Sequence, residues 1–279
     1  MTKRESTMKV LFIGATGLIG SHVIPFLKDE FELSLAAISS GTVEGIDVTA
    51  VDICDWEAIE SFIKAGPTDG DKFDAVVYCA TANYRENNHR EPEGRRAYYE
   101  NCIEVNVRGS YHVFEAAWRA KIPKVVHIGS TTSQMGQPRV EHIGAEVINQ
   151  ANDLYAASKI FGEQLGRSYV YPPFGKRESR EEDNQTMHVL CLRLGQPFLS
   201  DEQWSRSPHK GTRQAVYVGD IAGAIACALR SDIAYGVYPI TSEVEDPWVL
   251  PEAYAELGYS PHWKFTEDGL IEKGEAVAA

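Results

Sequence analysis

Two residues of the chain could move a proton. Tyr155 and Lys159 stand four positions apart, and a helix brings residues at this spacing onto one face. A nearby cation lowers the pKa of a phenol, so the pair predicts a tyrosine that exchanges a proton near neutral pH. With 13 tyrosines in the chain, such a pair also arises by chance, usually as a core aromatic beside a solvated lysine. Its meaning therefore depends on the residues around it.

A glycine-rich stretch near the N-terminus could bind a phosphate. Gly14, Gly17 and Gly20 directly follow the apolar run Lys9–Ile13, which predicts a buried strand, and a helical pattern begins within the stretch. Glycines let the chain turn tightly and bring N–H groups against a pyrophosphate at a helix N-terminus. A turn without a ligand is the competing interpretation. The position between a strand and a helix favours dinucleotide binding.

Strand and helix patterns alternate along most of the chain, which predicts the elements that position these residues. The predicted strands are Lys9–Ile13, Leu33–Ile38, Asp47–Val51, Ala75–Cys79, Lys124–Ile128, His188–Leu194 and Ala215–Val218. The predicted helices include Gly17–Asp29, Trp56–Ala65, Cys102–Ala120, Asp153–Tyr169 and Ile221–Arg230. Such alternation predicts an α/β fold with a doubly wound parallel sheet (Rossmann) and a small C-terminal substrate-binding region.

The domain organisation shows no clean linker. Residues 1–171 are predicted to form the dinucleotide-binding core, completed by about 188–195 and 214–240. Residues 172–279 are then mainly the small substrate-binding region, with a charged surface insertion at 172–187. A second charged stretch, Tyr84–Glu100, follows the fourth strand, where doubly wound folds often place substrate loops.

Composition excludes several classes of protein. The 279 residues carry a net charge of −13, which argues against binding to nucleic acid or to anionic membranes. The five cysteines are odd in number and form no Cys-x-x-Cys pair, so reduced thiols are expected. The eight histidines lack metal-ligand spacing, and no apolar run is long enough to span a membrane. We therefore expect a cytoplasmic enzyme without a metal site.

Together with Ser130 after the fifth strand, these motifs resemble the extended branch of the short-chain dehydrogenase/reductase superfamily, also described as the NAD-dependent epimerase/dehydratase family. The resemblance spans roughly residues 9–230. The matching features, in family order, are the glycine-rich turn, Asp52-Ile53, Ala75–Thr81, Asn106–Gly109, Ser130–Ser133, the Tyr155/Lys159 pair, and Arg213 before Tyr217–Asp220.

The resemblance implies a role for each matching residue. Tyr155 would be the catalytic acid/base, Lys159 would tune it and bind the nicotinamide ribose, and Ser130 would hydrogen-bond the same substrate oxygen. Counting back from Gly136 selects Thr131 in place of Ser130, so both hydroxyls stay open. The residues assigned to the dinucleotide are Gly14, Thr16, Gly17, Leu18, Ile19, Gly20, Asp52, Ile53, Ala80, Thr81, Asn106, Tyr155 and Lys159. Those assigned to the substrate are Asn83, Ser130, Thr131, Thr132 and Arg213.

The cofactor preference rests on one departure from the family pattern. The second strand ends in Ile38-Ser39-Ser40, without the acid that usually binds the ribose 2′-hydroxyl of NAD. No arginine or lysine lies between Lys28 and Lys64 to receive the 2′-phosphate of NADP. Binding the 2′-phosphate of NADP without a cation costs more free energy than binding the ribose hydroxyl of NAD without an acid. We therefore expect NAD and leave NADP as the alternative.

Within the family, the chain is most similar to uronate dehydrogenases. The similar stretches are Asn106–Ala117, Leu154–Glu163, Leu192–Gly195 and Leu257–Pro261. This similarity implies an NAD(P)-dependent oxidoreductase that acts on a hydroxyl of a small sugar or sugar acid. Arg213 would then bind a substrate carboxylate, unless it forms a structural ion pair. The alternatives are a nucleotide-sugar epimerase or reductase and a non-catalytic dinucleotide-sensing regulator.

The sequence also predicts a homodimer. The predicted helices Cys102–Ala120 and Asp153–Tyr169 carry apolar residues on more than one face. These residues are Val107, Tyr111, Phe114 and Trp118 on the first helix and Ile160, Phe161 and Leu165 on the second. Excess apolar surface on neighbouring helices suits a two-fold four-helix contact, which the resemblance also implies.

Overall fold

The computed structural model describes residues 7–68, 70–82, 91–136, 141–146, 148–171, 186–209 and 211–273. The strands of its central sheet are β1 (Lys9–Ile13), β2 (Glu32–Ala37), β3 (Gly41–Val43), β4 (Ile46–Ala50), β5 (Ala75–Tyr78), β6 (Lys124–Ser130), β7 (His188–Leu194) and β10 (Tyr235–Ile240). They lie in the order β10-β7-β6-β5-β1-β2-β4-β3, and every neighbouring pair is parallel except β3 and β4. The predicted doubly wound parallel sheet is confirmed.

Helices cover both faces of this sheet. They are α1 (Gly20–Leu27), α2 (Trp56–Ala65), α3 (Pro92–Asn101), α4 (Ser110–Arg119), α5 (Leu154–Val170), α6 (Asp201–Ser205) and α7 (Val218–Arg230). Side chains alternate along β1, so Val10 and Phe12 pack in one core with α1 and α7. Leu11 and Ile13 pack in the other, with α2 and α4. Strands buried on both faces have continuous apolar sequences, which is why they were predictable.

Aspartate caps fix the start of two helices. The carboxylate of Asp55 accepts a hydrogen bond from the N–H of Ala58 at 3.1 Å, and α2 has its predicted bounds. Asp153 accepts from the N–H of Ala156 at 2.7 Å and begins α5, the helix that carries Tyr155. An N-cap of this kind stabilises a helix by about 1 kcal/mol. The predicted start of α5 is therefore a local property of the sequence.

Two local predictions are wrong, and one strand was not predicted. The charged stretch Tyr84–Glu100 was expected to be a loop, but Pro92–Asn101 is a helix, with proline at its first position. The helix expected over Cys102–Ala120 is π-helical from Cys102 to Gly109. Strand β3 was not expected; it pairs with β4 through a turn in which Glu44 and Gly45 have φ angles of 52° and 79°. Asn83 and almost all of the predicted insertion 172–187 lie outside the described residues.

The C-terminal part of the chain adds small elements to the sheet. Strands β8 (Gln196–Phe198) and β9 (Ala215–Tyr217) pair in parallel, and β11 (Trp263–Phe265) and β12 (Leu270–Glu272) form a hairpin. Buried Asp220 on α7 holds this part, since its carboxylate accepts from Ser242 at 2.5 Å and from the N–H of His262 at 2.6 Å. All five cysteines are free. Among the described residues, no helix combines the length and the apolar character needed to cross a bilayer.

Candidate active site

The site lies where the strand order reverses between β1 and β5. The chain leaves β1 through Gly14, whose φ is +93°, and a Cβ at this position would lie 2.6 Å from the backbone nitrogen of Ala80. Only glycine adopts this conformation readily, and only glycine lets the loops after β1 and β5 touch. In open parallel sheets, ligands bind in the crevice at such a reversal.

The glycine-rich turn presents free N–H groups at the start of α1. The N–H of Gly17 donates to the carbonyl of Gly14 at 3.1 Å, and a Cβ on Gly20 would lie 2.3 Å from that same carbonyl oxygen. In the described part of the chain, the N–H groups of Thr16, Leu18 and Ile19 donate to no acceptor. These donors at a helix N-terminus fit a pyrophosphate.

The residues predicted to contact the adenosine half surround the ends of β2 and β4. The Asp52 carboxylate accepts the N–H of Cys54 at 2.8 Å, and the Ile53 side chain packs against Gly109, where a Cβ would lie 2.6 Å from its Cδ1. Beyond β2, Ile38 is 69% exposed and is followed by Ser39 and Ser40. The end of β2 therefore presents an apolar side chain and hydroxyls to the ribose position.

Tyr155 lies in the first turn of α5 and is hydrogen-bonded to Ser130 and Thr81 through its hydroxyl. Its ring stacks on Tyr98, with 6.3 Å between the ring centroids. Burial by the surrounding protein raises the pKa of Tyr155 to about 12. The expectation that Lys159 brings this pKa near neutrality is therefore wrong for the protein without cofactor.

The position of Lys159 explains why it does not bring the pKa of Tyr155 near neutrality. Its ammonium lies 5.8 Å from the centroid of the Tyr155 ring and donates to the carbonyl of Ile128 at 3.1 Å. The side chain is only 3% exposed, and burial lowers the pKa of Lys159 to about 8. The end of β6 thus holds the lysine under the site, and desolvation disfavours the charged form of its amine.

Replacing this lysine is expected to stabilise the protein. Between pH 8 and 10.5 the unfolded chain binds more protons at Lys159 than the folded chain, so this residue makes stability rise with pH across that window. Below pH 8 the buried ammonium lowers the free energy of unfolding. We expect Lys159→Met to be about 1–3 kcal/mol more stable than the parent at pH 7, with the difference vanishing by pH 10.5. Urea unfolding across this range measures it.

The exposed Lys64→Met at the end of α2 is the matched control and is expected to show no such pH-dependent difference. A Lys159→Met variant that is less stable than the parent at pH 7, or whose difference from the parent does not change with pH, contradicts the desolvation argument.

Ser130 and Thr131 point to different partners. Ser130 ends β6 and bonds Tyr155, whereas buried Thr131 donates its hydroxyl to Oε1 of Gln214 at 2.7 Å. The backbone is extended at Ser130 and turns into a short 3₁₀ helix from Thr131 to Gln134, which separates the two side chains. Ser130 Oγ also accepts from the hydroxyl of Thr132 at 2.9 Å. Of the two hydroxyls that the sequence left open, Ser130 is the one beside Tyr155, and Thr132 positions it.

Asn106 joins the loop after β5 to α5. Its Oδ1 accepts from the hydroxyl of Thr81 at 3.1 Å and from the N–H of Ala82 at 2.8 Å, and its Nδ2 donates to Ser158 at 2.9 Å. The side chain is 2% exposed and belongs to the π-helical segment. Asn106 therefore fixes Thr81, which bonds Tyr155.

Arg213 forms the structural ion pair that the sequence left as the alternative. Its Nε lies 2.8 Å from Oδ2 of Asp246, and its Nη2 donates to the carbonyl of Glu141 at 2.7 Å. The guanidinium is therefore already neutralised, and it clamps the segment around Glu141 to β9. Asn83, the other residue predicted only for substrate, lies outside the described residues.

A cavity in the segment that follows β7 was missed by sequence reasoning. Its volume is about 550 Å³, and it is lined by Gln196, Phe198, Ser200, Glu202, Gln203, Arg206, Ser207, Pro208 and His209. The position of this segment could have indicated a binding site. It directly follows the carboxyl end of β7, and parallel sheets bind ligands at that edge. Among the described residues, no cluster of three or more His, Cys, Asp or Glu could hold a metal ion.

Comparison with known proteins identifies a matching family and several similar enzymes. Residues 10–240 match the model of the NAD dependent epimerase/dehydratase family. L-arabinose 1-dehydrogenase (NAD(P)(+)) of Haloferax volcanii is 26% identical over 70% of this chain and 69% of its own length. NAD-dependent glucose-6-phosphate dehydrogenase of the same organism is 22% identical over 90% and 92%. The structure of a uronate dehydrogenase mutant from Agrobacterium tumefaciens, complexed with NAD, superposes with a TM-score of 0.68 at 20% identity, covering 93% of this chain and 86% of that one.

Proposed function

Since this chain belongs to the NAD dependent epimerase/dehydratase family, an enzyme family that uses NAD and acts on sugars, we propose that it oxidises a hydroxyl of a small sugar or sugar acid. The proposed chemistry moves a hydride to the nicotinamide and a proton to Tyr155. The observation that carries it is the contact between Tyr155 and Ser130 at the sheet edge, beside a turn with three free N–H groups.

The residues support each part of this reaction. The N–H groups of Thr16, Leu18 and Ile19 would hold the pyrophosphate, and the crevice between the loops after β1 and β5 would hold the ribose rings. When bound, NAD supplies the ring carbon that accepts the hydride. The protein supplies orientation, since positioned groups remove much of the entropic barrier.

Proton transfer is assigned to the cluster around Tyr155. A substrate hydroxyl between Ser130 and Tyr155 accepts a hydrogen bond from Ser130 and passes its proton to Oη of Tyr155, which takes part as the phenolate and becomes the phenol. Because burial raises the pKa of Tyr155 to about 12, the phenol is protonated at neutral pH, which is the form that the reverse reduction requires. Tyr155 acts as a base only with the help of Lys159, the cation one helical turn away. The pKa of Lys159 is about 8, so its amine is mainly protonated below that pH.

The size and lining of the cavity after β7 support a small polar substrate. A volume of about 550 Å³ lies in the range typical of small-molecule pockets. Neutral hydrogen-bonding side chains, among them Gln196, Ser200, Gln203 and Ser207, suit the hydroxyl groups of a sugar.

A substrate panel tests the proposal. Free aldoses, uronic acids and nucleotide sugars are each mixed with the protein and NAD or NADP, and nicotinamide absorbance is followed. We expect net reduction of NAD with a free sugar or sugar acid. Interconversion of a nucleotide sugar without net reduction supports an epimerase instead, and dinucleotide binding without turnover of any sugar supports a regulator.

The exposed apolar side chains also support a homodimer, which we keep as a proposal. Ile103, Tyr111 and Phe161 are 47%, 46% and 37% exposed on the π-helical segment, α4 and α5. Phe114, which sequence reasoning placed on this surface, is instead fully buried in the core of the same chain. Light scattering at micromolar concentration gives the mass that decides between monomer and dimer.

A further inference from the structure

A second tyrosine packs against the ring of Tyr155. Tyr98 in α3 lies with its ring centroid 6.3 Å from that of Tyr155, and the two ring planes are 25° apart. Aromatic rings attract each other at this separation beyond the area that they bury. Tyr98 is only 9% exposed, so the contact is shielded from water. The proposed reaction gives Tyr98 no role, although Tyr98 touches the residue that exchanges the proton.

The Tyr98 ring is itself held in place by its surroundings. Its hydroxyl bonds the thiol of Cys102, which is fully buried and begins the π-helical segment. The N–H of Cys102 donates back to the carbonyls of Tyr98 and Tyr99. Ala82 completes a small buried cluster with Tyr98 and Cys102, and Tyr155 packs against this cluster. The Tyr98 ring is therefore a fixed surface for the Tyr155 ring.

The hydrogen bonds of Tyr155 fix its oxygen but not the plane of its ring. Ser130 and Thr81 both bond the hydroxyl, yet the ring can still turn about the line that joins its Cβ to that oxygen. The O–H bond of a phenol lies in the ring plane, because the oxygen is conjugated with the ring. The ring plane therefore sets the direction along which a proton leaves or arrives. The stacked ring of Tyr98 restricts this rotation.

We propose, on the basis of the function proposed above, that Tyr98 is a positioning residue for proton transfer. Its ring keeps the phenol of Tyr155 in the plane that directs the proton along the line to the substrate oxygen. Proton transfer depends on such alignment, since a positioned group is effective only within hydrogen-bond geometry. The ring of Tyr98 also excludes water from the face of Tyr155 that it covers. The role belongs to the ring and not to the hydroxyl.

Tyr98→Leu tests this role. Leucine stays apolar but presents no ring face, so we expect kcat to fall about 10-fold or more, because small errors in alignment are costly. The KM for the sugar and the Kd for NAD should stay within about threefold of the parental values, since Tyr98 is assigned to neither ligand. Tyr98→Phe keeps the ring and should restore parental kcat. Steady-state kinetics with the best sugar of the panel measure these quantities.

The pH dependence of kcat for oxidation is the second measurement. Oxidation uses the phenolate of Tyr155, so its rate rises with pH through the pKa of this residue, which burial raises. Tyr98→Leu admits water to the phenol and lowers that pKa, and the rise in rate should move to lower pH by about 0.5 pH unit or more. Tyr98→Phe should keep the parental profile. The titratable groups that surround the phenol are Tyr98, Cys102, Asp153 and Lys159.

Tyr169→Leu is the matched control. Tyr169 is 7% exposed, belongs to the same helix, and stacks on Phe114 with 5.9 Å between the ring centroids. It lies about 21 Å further along α5 than Tyr155, since each residue adds about 1.5 Å to a helix. We expect Tyr169→Leu to lose as much stability in urea unfolding as Tyr98→Leu and to keep the parental kcat and pH profile.

The proposal is overturned by parental kcat in Tyr98→Leu, by an unchanged pH profile, or by equal losses of kcat in Tyr98→Leu and Tyr169→Leu. Impairment of Tyr98→Phe to the level of Tyr98→Leu overturns it too, because the hydroxyl would then carry the role. Each of these results leaves the proposed function standing. Where Tyr98→Leu does not fold, Tyr98→Met takes its place, since its longer side chain fills more of the site.

A failure of the proposed function is recognised separately. If no sugar of the panel reduces NAD, that function fails, and crystal structures of the parent and Tyr98→Leu decide the positioning role. A Tyr155 ring that turns out of its parental plane, or that adopts several orientations, supports the role. A ring that keeps its plane and its bonds to Ser130 and Thr81 in the variant overturns it.

Discussion

Tyr155→Phe is expected to lower turnover about 10³-fold or more while the Kd for NAD stays within about twofold of the parent value. Among the described residues, the phenol of Tyr155 is the group that bonds Ser130 and also lies one helical turn from a lysine. Loss of a positioned acid/base costs about 10²–10⁴-fold. Cofactor affinity is preserved because phenylalanine keeps the ring and the N–H groups of the glycine-rich turn are untouched. Turnover of the best sugar of the panel and fluorescence titration with NADH or NAD measure the two quantities.

Tyr98→Phe is the matched control for this change. Its ring stacks on Tyr155, but its hydroxyl bonds Cys102, so we expect turnover close to that of the parent. If Tyr155→Phe keeps parental turnover on a confirmed substrate, the proton-transfer assignment is wrong and the family likeness extends only to the fold. A loss of equal size in both variants points to disturbed ring packing in place of proton transfer.

The same assay decides which of Ser130 and Thr131 has the catalytic role, a choice that the sequence did not settle. Ser130→Ala removes the hydroxyl that bonds Tyr155 and should reduce turnover about 10²-fold. Thr131→Val removes a hydrogen bond to Gln214 and none to Tyr155, so it should reduce turnover far less than Ser130→Ala does. The reverse ranking assigns the catalytic role to Thr131 and leaves the role of Tyr155 intact.

The sequence predicted the sheet because its signal is strong and local. Buried parallel strands such as β1 and β7 are apolar throughout, and both were predicted with their observed bounds. The glycines of the first turn were predictable because their backbone contacts exclude any Cβ. The family resemblance implied that Ser130 lies with Tyr155 and Lys159, and the structure brings the three together where β6 ends and α5 begins.

What the sequence did not predict depends on long-range contacts. The pKa of Tyr155 rises because protein surrounds the phenol and Lys159 is drawn to the carbonyl of Ile128, which no spacing rule shows. The π-helical turns around Asn106 satisfy contacts to the loop after β5 and to Ser158 on α5. Arg213 is neutralised by Asp246, which lies far along the chain. Each of these requires the fold to be known first.

A buried ion pair holds α5 to the sheet. Arg193 on β7 donates through Nε to Glu163 Oε1 at 2.8 Å and through Nη2 to Oε2 at 2.7 Å, and both side chains are fully buried. Its Nη2 also donates to Asn149, in the segment that leads to α5. Glu163 lies one turn beyond Lys159 on α5. The pair therefore joins the helix that carries Tyr155 to the strand beside Ser130.

Breaking this pair on one side is expected to cost far more than removing it whole. Arg193→Met removes the guanidinium that bonds both oxygens of the buried Glu163 carboxylate, and we expect it to lower the free energy of unfolding by about 3–5 kcal/mol. Glu163→Met strands the guanidinium in the same way. The double variant leaves neither charge and should recover most of that loss, because apolar replacement of both partners is often close to neutral. Urea unfolding of the four proteins gives the coupling energy directly.

Arg108→Met provides the surface comparison, since Arg108 lies the same 2.7 Å from Glu104 but the two side chains are 57% and 46% exposed. It should cost less than about 1 kcal/mol. The distinction rests on desolvation, as water replaces a lost partner at the surface and cannot do so between β7 and α5. Additive losses in the double variant, or a cost for Arg193→Met as small as that for Arg108→Met, would show that water reaches the buried pair and that packing alone holds α5 in place.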